Sequence, residues 1–375
     1  MRKQGDRTGI YLPAFIEGRC IMINRKILGG IAAVAVLAGM VATTPVQAQK
    51  YEFKLTSFVP AKGGFWNNYM GRFIKAVDLL TNGEVKIKGY SVGVLAGPFD
   101  GWAAVQKGTA DICYCYPGFA VNADPANGIF AGMVGGMPME EYMHWLIAGD
   151  GIDLLTEMRS KTQKLVPIAT GFGSTEIFLH SHKKIRTIAD LKGMKIRTAA
   201  AWADILKRVG ASPTVLPPAD IYTALERRVI DGTEFVTPST NIKLGFHKIA
   251  KYIILPGIHS PSHMNEAVFS EATWKSLPKR LQEQIRAAGL YAGFRTAMQV
   301  GMDDIGAMEK MSKGKNEWVY LTPEAQAKIR DLGREWSEEQ AKAQSAKGND
   351  WMARVSNSYW GFYDRWKKYG TYRHN

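Results

Sequence analysis

Cysteine is scarce in this chain: three residues in 375, at positions 20, 113 and 115. That excludes a small scaffold stapled by disulfides, and no Cys-x-x-Cys pair is available for thiol redox chemistry or a structural zinc. His-Glu-x-x-His and the phosphate loop Gly-x-x-x-x-Gly-Lys are absent too, so metalloprotease and P-loop nucleotide chemistry have no motif. Internal repeats and low-complexity linkers are lacking, which excludes solenoids and long disordered arrays. Long apolar runs are also missing. The longest, residues 27–41, is about 15 residues, short of the roughly 20 that span a bilayer.

What is present is enough to build sizeable cores. The chain is 46% hydrophobic and 11% aromatic, and its length predicts about two domains. The formal net charge is +14. Met22-Ile23-Asn24-Arg25-Lys26 is a basic start, residues 27–41 are its apolar continuation, and Val46-Gln47-Ala48 fits a signal-peptidase site before Gln49. Residues 1–48 therefore read as a signal peptide, with 1–21 an over-extended start. The mature chain keeps 42 basic residues against 32 acidic ones, a net +10. This charge is either a solvated surface or an attraction for anionic ligands. Its scatter and the exported compartment argue against nucleic acid, and no stable membrane insertion is expected.

Strands at 51–57, 84–90 and 110–116 alternate with helices near 65–80 and 98–107, which predicts parallel pairing with right-handed crossovers. Cys113 and Cys115 face the same way along the third strand. Neighbouring same-face positions on one strand give poor disulfide geometry, so two free, buried thiols are expected. A helical stretch at 138–163 leads to a second α/β series between 165 and 255. A helix from 279 to about 312 would be roughly 50 Å long, longer than one lobe. Glycines 289, 293, 301 and 306 predict weakness or kinks in it. Residues from 323 on are again helical.

Several stretches carry a resemblance when read in order: Phe99-Asp-Gly-Trp-Ala-Ala-Val-Gln-Lys-Gly-Thr-Ala-Asp-Ile112, Ala123-Asp-Pro125, Thr187-Ile-Ala-Asp-Leu-Lys-Gly-Met-Lys-Ile-Arg197, Asp231-Gly-Thr-Glu-Phe235, Pro256-Gly257 and Trp274-Lys-Ser-Leu-Pro278. With the export signal, this series resembles the solute-binding proteins of tripartite ATP-independent periplasmic (TRAP) transporters, in particular the subgroup for 2-oxo and 2-hydroxy acids. The resemblance implies an α/β, bilobed periplasmic binding protein, with two α/β lobes around a hinged cleft and a long helix spanning both. It places lobe I at 49–173 plus 264–303 and lobe II at 174–263 plus 304–375. It implies periplasmic capture of a small organic acid, no enzymatic activity, and delivery to TRAP membrane subunits. A sensing module feeding a signalling receptor is the alternative, and a homodimer stays open.

The candidate site follows. Gly193 caps a helical turn before a strand that ends on Arg197, where open α/β sheets bind ligands. A guanidinium there is either a surface charge or a planar fork for a carboxylate. The resemblance assigns it to the substrate carboxylate. It also places Glu176, Glu234 and Phe235 where the subgroup holds a metal ion beside that carboxylate, with Glu176 and Phe235 standing where the subgroup has glutamine and tryptophan. Two glutamates, one guanidinium and a ligand carboxylate sum to −2, which a Ca²⁺ or Na⁺ ion would reduce; the alternative is a plain ion pair for Glu176. His259 lies in Ile258-His-Ser260, where the family pattern is bulkier and acidic. Phe65 or Trp66, together with Tyr116 and Phe119, is expected to line the first-lobe side, and His180 and His182 to be packed or solvated.

Overall fold

The computed structural model describes residues 51–61 and 63–370, so the signal-peptide reading lies outside the described residues. Eleven strands are present: β1 (Tyr51–Ser57), β2 (Val85–Gly89), β3 (Ile112–Cys115), β4 (Leu165–Gly173), β5 (Leu179–Ser181), β6 (Lys195–Arg197), β7 (Ser212–Thr214), β8 (Gly232–Thr233), β9 (Tyr252–Leu255), β10 (His263–Ser270) and β11 (Glu317–Tyr320). They form two sheets, ordered β2-β1-β3-β10-β4 and β11-β9-β5-β8-β6-β7. The chain changes sheet after β4, after β9 and again before β11.

Both sheets are mixed, with the parallel pairing expected of the first three strands present beside antiparallel pairs. β1 runs parallel to β2 and β3, but β10 is antiparallel to β3 and β4, and β5 is antiparallel to β8 and β9. The reason is the route taken. β5 and β10 enter from the other sheet, so no local βαβ crossover fixes their direction. β11 was not expected. Only four residues long, it lies parallel to β9.

The thiol expectation is also overturned: Cys113 and Cys115 form a disulfide within β3. Their side chains do share a face, and their Cα atoms are 5.8 Å apart, inside the range a disulfide can bridge. Helix Gly101–Gln106 packs closely there, for a Cβ on Gly101 would lie 3.0 Å from the Cys115 sulfur.

Helix Lys279–Ser312 runs unbroken for 34 residues. It packs on β4 and on helix Gly71–Leu80 at the first sheet, and on helix Pro238–Leu244 at the second. Its glycines have two different meanings. A Cβ on Gly289 would come 2.4 Å from Ile168 Cγ2, and one on Gly293 would come 2.5 Å from Phe172 Cε2, so both let the helix sit directly on β4. Gly301 and Gly306 face open space. Farther along, the buried Asp304 carboxylate accepts from the Ser239 amide at 2.7 Å and the Ser174 hydroxyl at 2.5 Å. Beneath the first sheet, Arg159 and Glu266 form a fully buried two-point ion pair, with the guanidinium over the Trp102 ring at 4.9 Å.

A paired substitution separates packing from propensity. Gly289→Ala should destabilise the protein by roughly 1–3 kcal/mol through overpacking against β4. The exposed Gly306→Ala should stabilise it by about 0.5–1 kcal/mol. Urea unfolding of the two variants gives the signs, and equal signs would contradict the packing assigned to Gly289.

Candidate functional site

The site is built from strand ends. Thr187 and Asp190 form a capping box on the turn Ile188–Leu191, and Gly193 takes the left-handed conformation at φ +74 that releases the chain into β6. The Asp231 carboxylate accepts from the Lys195 amide at 2.9 Å, fixing β6 beside β8. Arg197 then pairs with Thr233 of β8 and Thr214 of β7, and Glu234 and Phe235 follow directly from β8. Arg197 and Glu234 therefore emerge side by side at the carboxyl ends of parallel strands.

Arg197 is 2% exposed. Its Nε and Nη2 donate to the Leu216 carbonyl at 3.3 and 3.2 Å, and Nη1 donates to the Glu234 carbonyl at 3.2 Å. A guanidinium has five N–H bonds, so one remains on each terminal nitrogen. The Glu234 carboxylate lies 3.7 Å from Nη1, and the Phe235 ring covers the guanidinium at 5.1 Å. Burial works against the Arg197 charge, and Glu234 and Glu176 work for it.

Glu176 reaches the same place from the segment between β4 and β5. It forms a single bridge with Gly257, whose missing Cβ would lie 1.8 Å from the Glu176 carbonyl oxygen, so only glycine fits there. Ser260 donates to Glu176 Oε1 at 3.2 Å, and His259 Nε2 lies 3.6 Å from Oε2. Donor atoms of Glu176, Glu234 and His259 all lie within 4.8 Å of one another, and all three residues are buried. Burial raises Glu176 to about 7, with the Ser260 hydroxyl and Arg197 pulling the other way. Burial and then the Glu176 charge raise Glu234 to about 7. Burial lowers His259 and His263 to about 4, so both imidazoles are neutral at neutral pH.

These groups surround one cavity. Glu176, Arg197, Glu234, Phe235 and His259 line it from the second-sheet side, and Tyr116 and Phe119 from the first. The Tyr116 hydroxyl donates to the Ala131 carbonyl at 3.1 Å, which leaves its oxygen as an acceptor. Trp66 does not line this cavity; Phe65 does. The π-helical turn Trp66–Met70 departs from the α-helical spacing expected there, and Trp66 lies toward Gly89 on β2. His180 is fully buried against Phe246, and His182 contacts the Leu225 carbonyl at 2.9 Å, so both are packed.

Among the lining residues that escaped the sequence reading are Trp202, Ser260, His263 and Asn265. His263 and Asn265 alternate on β10, and a polar pair at period two was the available signal. Neither His263 nitrogen has a hydrogen-bond partner among the described residues, nor does Asn265 Nδ2 or Glu176 Oε2. Buried polar atoms without partners at a cavity wall mark where a ligand or water makes its bonds. Ala200 at φ +56 and the β-branched Val236 at φ +44 also line the cavity, a concentration of backbone strain at the site.

Residues 57–353 match the family described as DctP, bacterial extracellular solute-binding protein, family 7. The chain belongs to that family. It is a solute-binding protein of the TRAP type, and the family binds solutes rather than transforming them. A monocarboxylate 2-oxoacid-binding periplasmic protein of Nostoc sp. is 24% identical over 87% of this chain and 91% of that protein. A TRAP solute-binding protein of Bordetella bronchiseptica RB50, with copurified calcium and picolinate, superposes with a TM-score of 0.79 at 22% identity, covering 87% of this chain and 94% of the other. One from Pseudoalteromonas atlantica T6c, with sodium and pyruvate, has a TM-score of 0.80 at 23% identity, covering 86% and 97%. The bilobed α/β fold with a spanning helix is thus the family fold. Gly89-Tyr90-Ser91-Val92-Gly93 has the spacing of a nucleophile elbow, but β2 runs into turns rather than a helix and Ser91 does not line the cavity.

The raised carboxylates predict a pH effect on the metal-free protein. With folded values near 7 against an ordinary 4.5, Glu176 and Glu234 hold protons that the unfolded chain has lost, so their contribution falls as pH rises through that window. His180, His259 and His263 act oppositely, since burial lowers them. The carboxylate part is isolated by comparison with Glu176→Gln. In EDTA, the variant should gain on wild type by roughly 1–3 kcal/mol between pH 5 and pH 8. Denaturant curves at both values check this, and a constant difference would count against it.

Proposed function

We propose that this protein captures a small organic acid bearing a second oxygen beside its carboxylate, a 2-oxo or 2-hydroxy acid, and delivers it to TRAP membrane subunits for ion-driven uptake. The observation that carries the reading is Arg197, a buried guanidinium with one unspent N–H on each terminal nitrogen at an aromatic-walled cavity. A carboxylate matches that pair, and a planar fork orients it as a point charge would not. The 2-oxoacid-binding Nostoc relative and the pyruvate-bound Pseudoalteromonas neighbour support the ligand class. Periplasmic residence accords with the family and with the basic-then-apolar start of the sequence.

A cation belongs to this reading. Glu176 and Glu234 offer two buried carboxylates, and Glu176 Oε2 has no partner among the described residues. Adding a ligand carboxylate to them would bury a net negative charge that Arg197 alone does not cancel. Ca²⁺ or Na⁺ suits the carboxylate oxygens, the Phe235 carbonyl and the ligand oxygens, and such an ion would reduce that excess charge. His259 is a neutral nitrogen donor in the same group, which also admits softer divalent ions. The ligand contacts elements of both sheets, so it favours the closed cleft.

Arg197→Lys should keep the fold but weaken pyruvate binding, measured by calorimetry with Ca²⁺ present, by about 2–4 kcal/mol. Unchanged affinity would remove Arg197 as the anchor. Separately, elemental analysis of the purified protein should find a bound cation. EDTA should lower the melting temperature of wild type but not of Glu176→Gln/Glu234→Gln. A metal-free wild type insensitive to EDTA would reduce Glu176 to a structural ion-pair partner.

A further inference from the structure

We propose that the ligand site has a second compartment, and that the protein prefers an elongated acid whose far end is also anionic. This rests on the carboxylate reading of the inner cavity and extends it. A second cavity adjoins the first, and Phe65 and Phe235 line both. Phe235 thus covers the Arg197 guanidinium and also forms part of the outer wall. Phe65 and Phe235 are the wall the two spaces share, and a ligand chain leaving the fork along Phe235 would pass between them to reach the outer compartment.

The outer walls have a definite chemistry. One side is the loop after β1, where Gly63 and Gly64 carry no side chain into the space. The other side is Pro218, Tyr222, Leu244 and Phe246 around the second sheet. Among the described residues these surfaces are apolar apart from the Tyr222 hydroxyl, Thr240 and one exposed cation, Lys243. A Cβ on Gly64 would lie 2.8 Å from Lys243 Nζ, so the ammonium spans the compartment to the opposite loop. It has no ion pair or hydrogen bond among the described residues. An apolar passage between a buried guanidinium and a free ammonium is complementary to a carboxylate, a short methylene chain and a second carboxylate.

The same geometry explains the residue choice at 235. A phenylalanine covers Arg197 while leaving more room toward the outer compartment than the tryptophan of the subgroup pattern would. A side chain at 64 would have to displace the Lys243 ammonium, since a Cβ there would lie 2.8 Å from Nζ, whereas Gly63 faces open space and is set by its backbone at φ +109.

The test is a calorimetric series with Ca²⁺-supplied wild type and Lys243→Gln, using pyruvate, 2-oxobutanoate, 2-oxohexanoate, 2-oxoglutarate and 2-oxoadipate. In wild type, affinity for the monoacids should rise roughly threefold per added methylene as apolar surface enters the outer walls. The longer diacids should bind tighter still. Lys243→Gln should weaken the diacids by roughly fivefold while pyruvate and 2-oxohexanoate stay within about twofold of wild type. Two results overturn the second compartment while leaving the inner site standing: pyruvate binding as tightly as every longer acid, or Lys243→Gln changing all five equally. Binding of none of the five by wild type would remove the inner-site reading, and the extension with it.

Discussion

A buried positive charge held by backbone carbonyls governs this structure. Arg197 spends three of its N–H bonds on the carbonyls of Leu216 and Glu234, and so it cannot swing away when no ligand is present. Its desolvation must be offset locally, which the carboxylates of Glu234 and Glu176 do. Burial is the first cause of the raised proton affinity of both carboxylates, and two of them beside one guanidinium leave an excess of negative charge that suits a cation. Fork, carboxylate pair and neutral histidine form one electrostatic unit, and removing any member leaves the others imperfectly compensated.

The fold delivers these groups from distant parts of the sequence. Arg197 and Glu234 come from neighbouring parallel strand ends, Glu176 from the first crossing between the sheets, and His259 with Ser260 from the loop that leads into the second crossing. The aromatic wall comes from the first sheet. A cavity assembled across two sheets closes only when both are in place. Gly118 shows how closely they meet, since a Cβ there would lie 3.0 Å from the Ala200 Cβ.

Much of this was legible in the sequence, because strand ends and their punctuation are local. Gly193 announced the turn before β6, Asp231-Gly232 announced β8, and the helix from Lys279 to Ser312 was visible from its length alone. The misses were non-local. The directions of β5 and β10 depend on where the chain has been, not on residues inside those strands. His263 and Asn265 were missed because they stand at the polar start of β10, ahead of its apolar part, where antiparallel pairing with β4 rather than the local pattern makes the strand. The choice between Phe65 and Trp66 was open in the sequence, and the π-helical turn Trp66–Met70 does not follow the 3.6-residue spacing that would settle it. Gly289 and Gly293 read as weak points, yet they are the closest contacts of their helix with β4.

The buried Asp304 has a mechanical consequence. Through its carboxylate, one end of the long helix is bolted to the amide of Ser239, at the start of the helix that carries Lys243. The other end rests on β4 through two missing side chains, at 289 and 293. One rod is therefore clamped to two bodies, and its span between residues 293 and 304 is the spring that any widening of the mouth must flex.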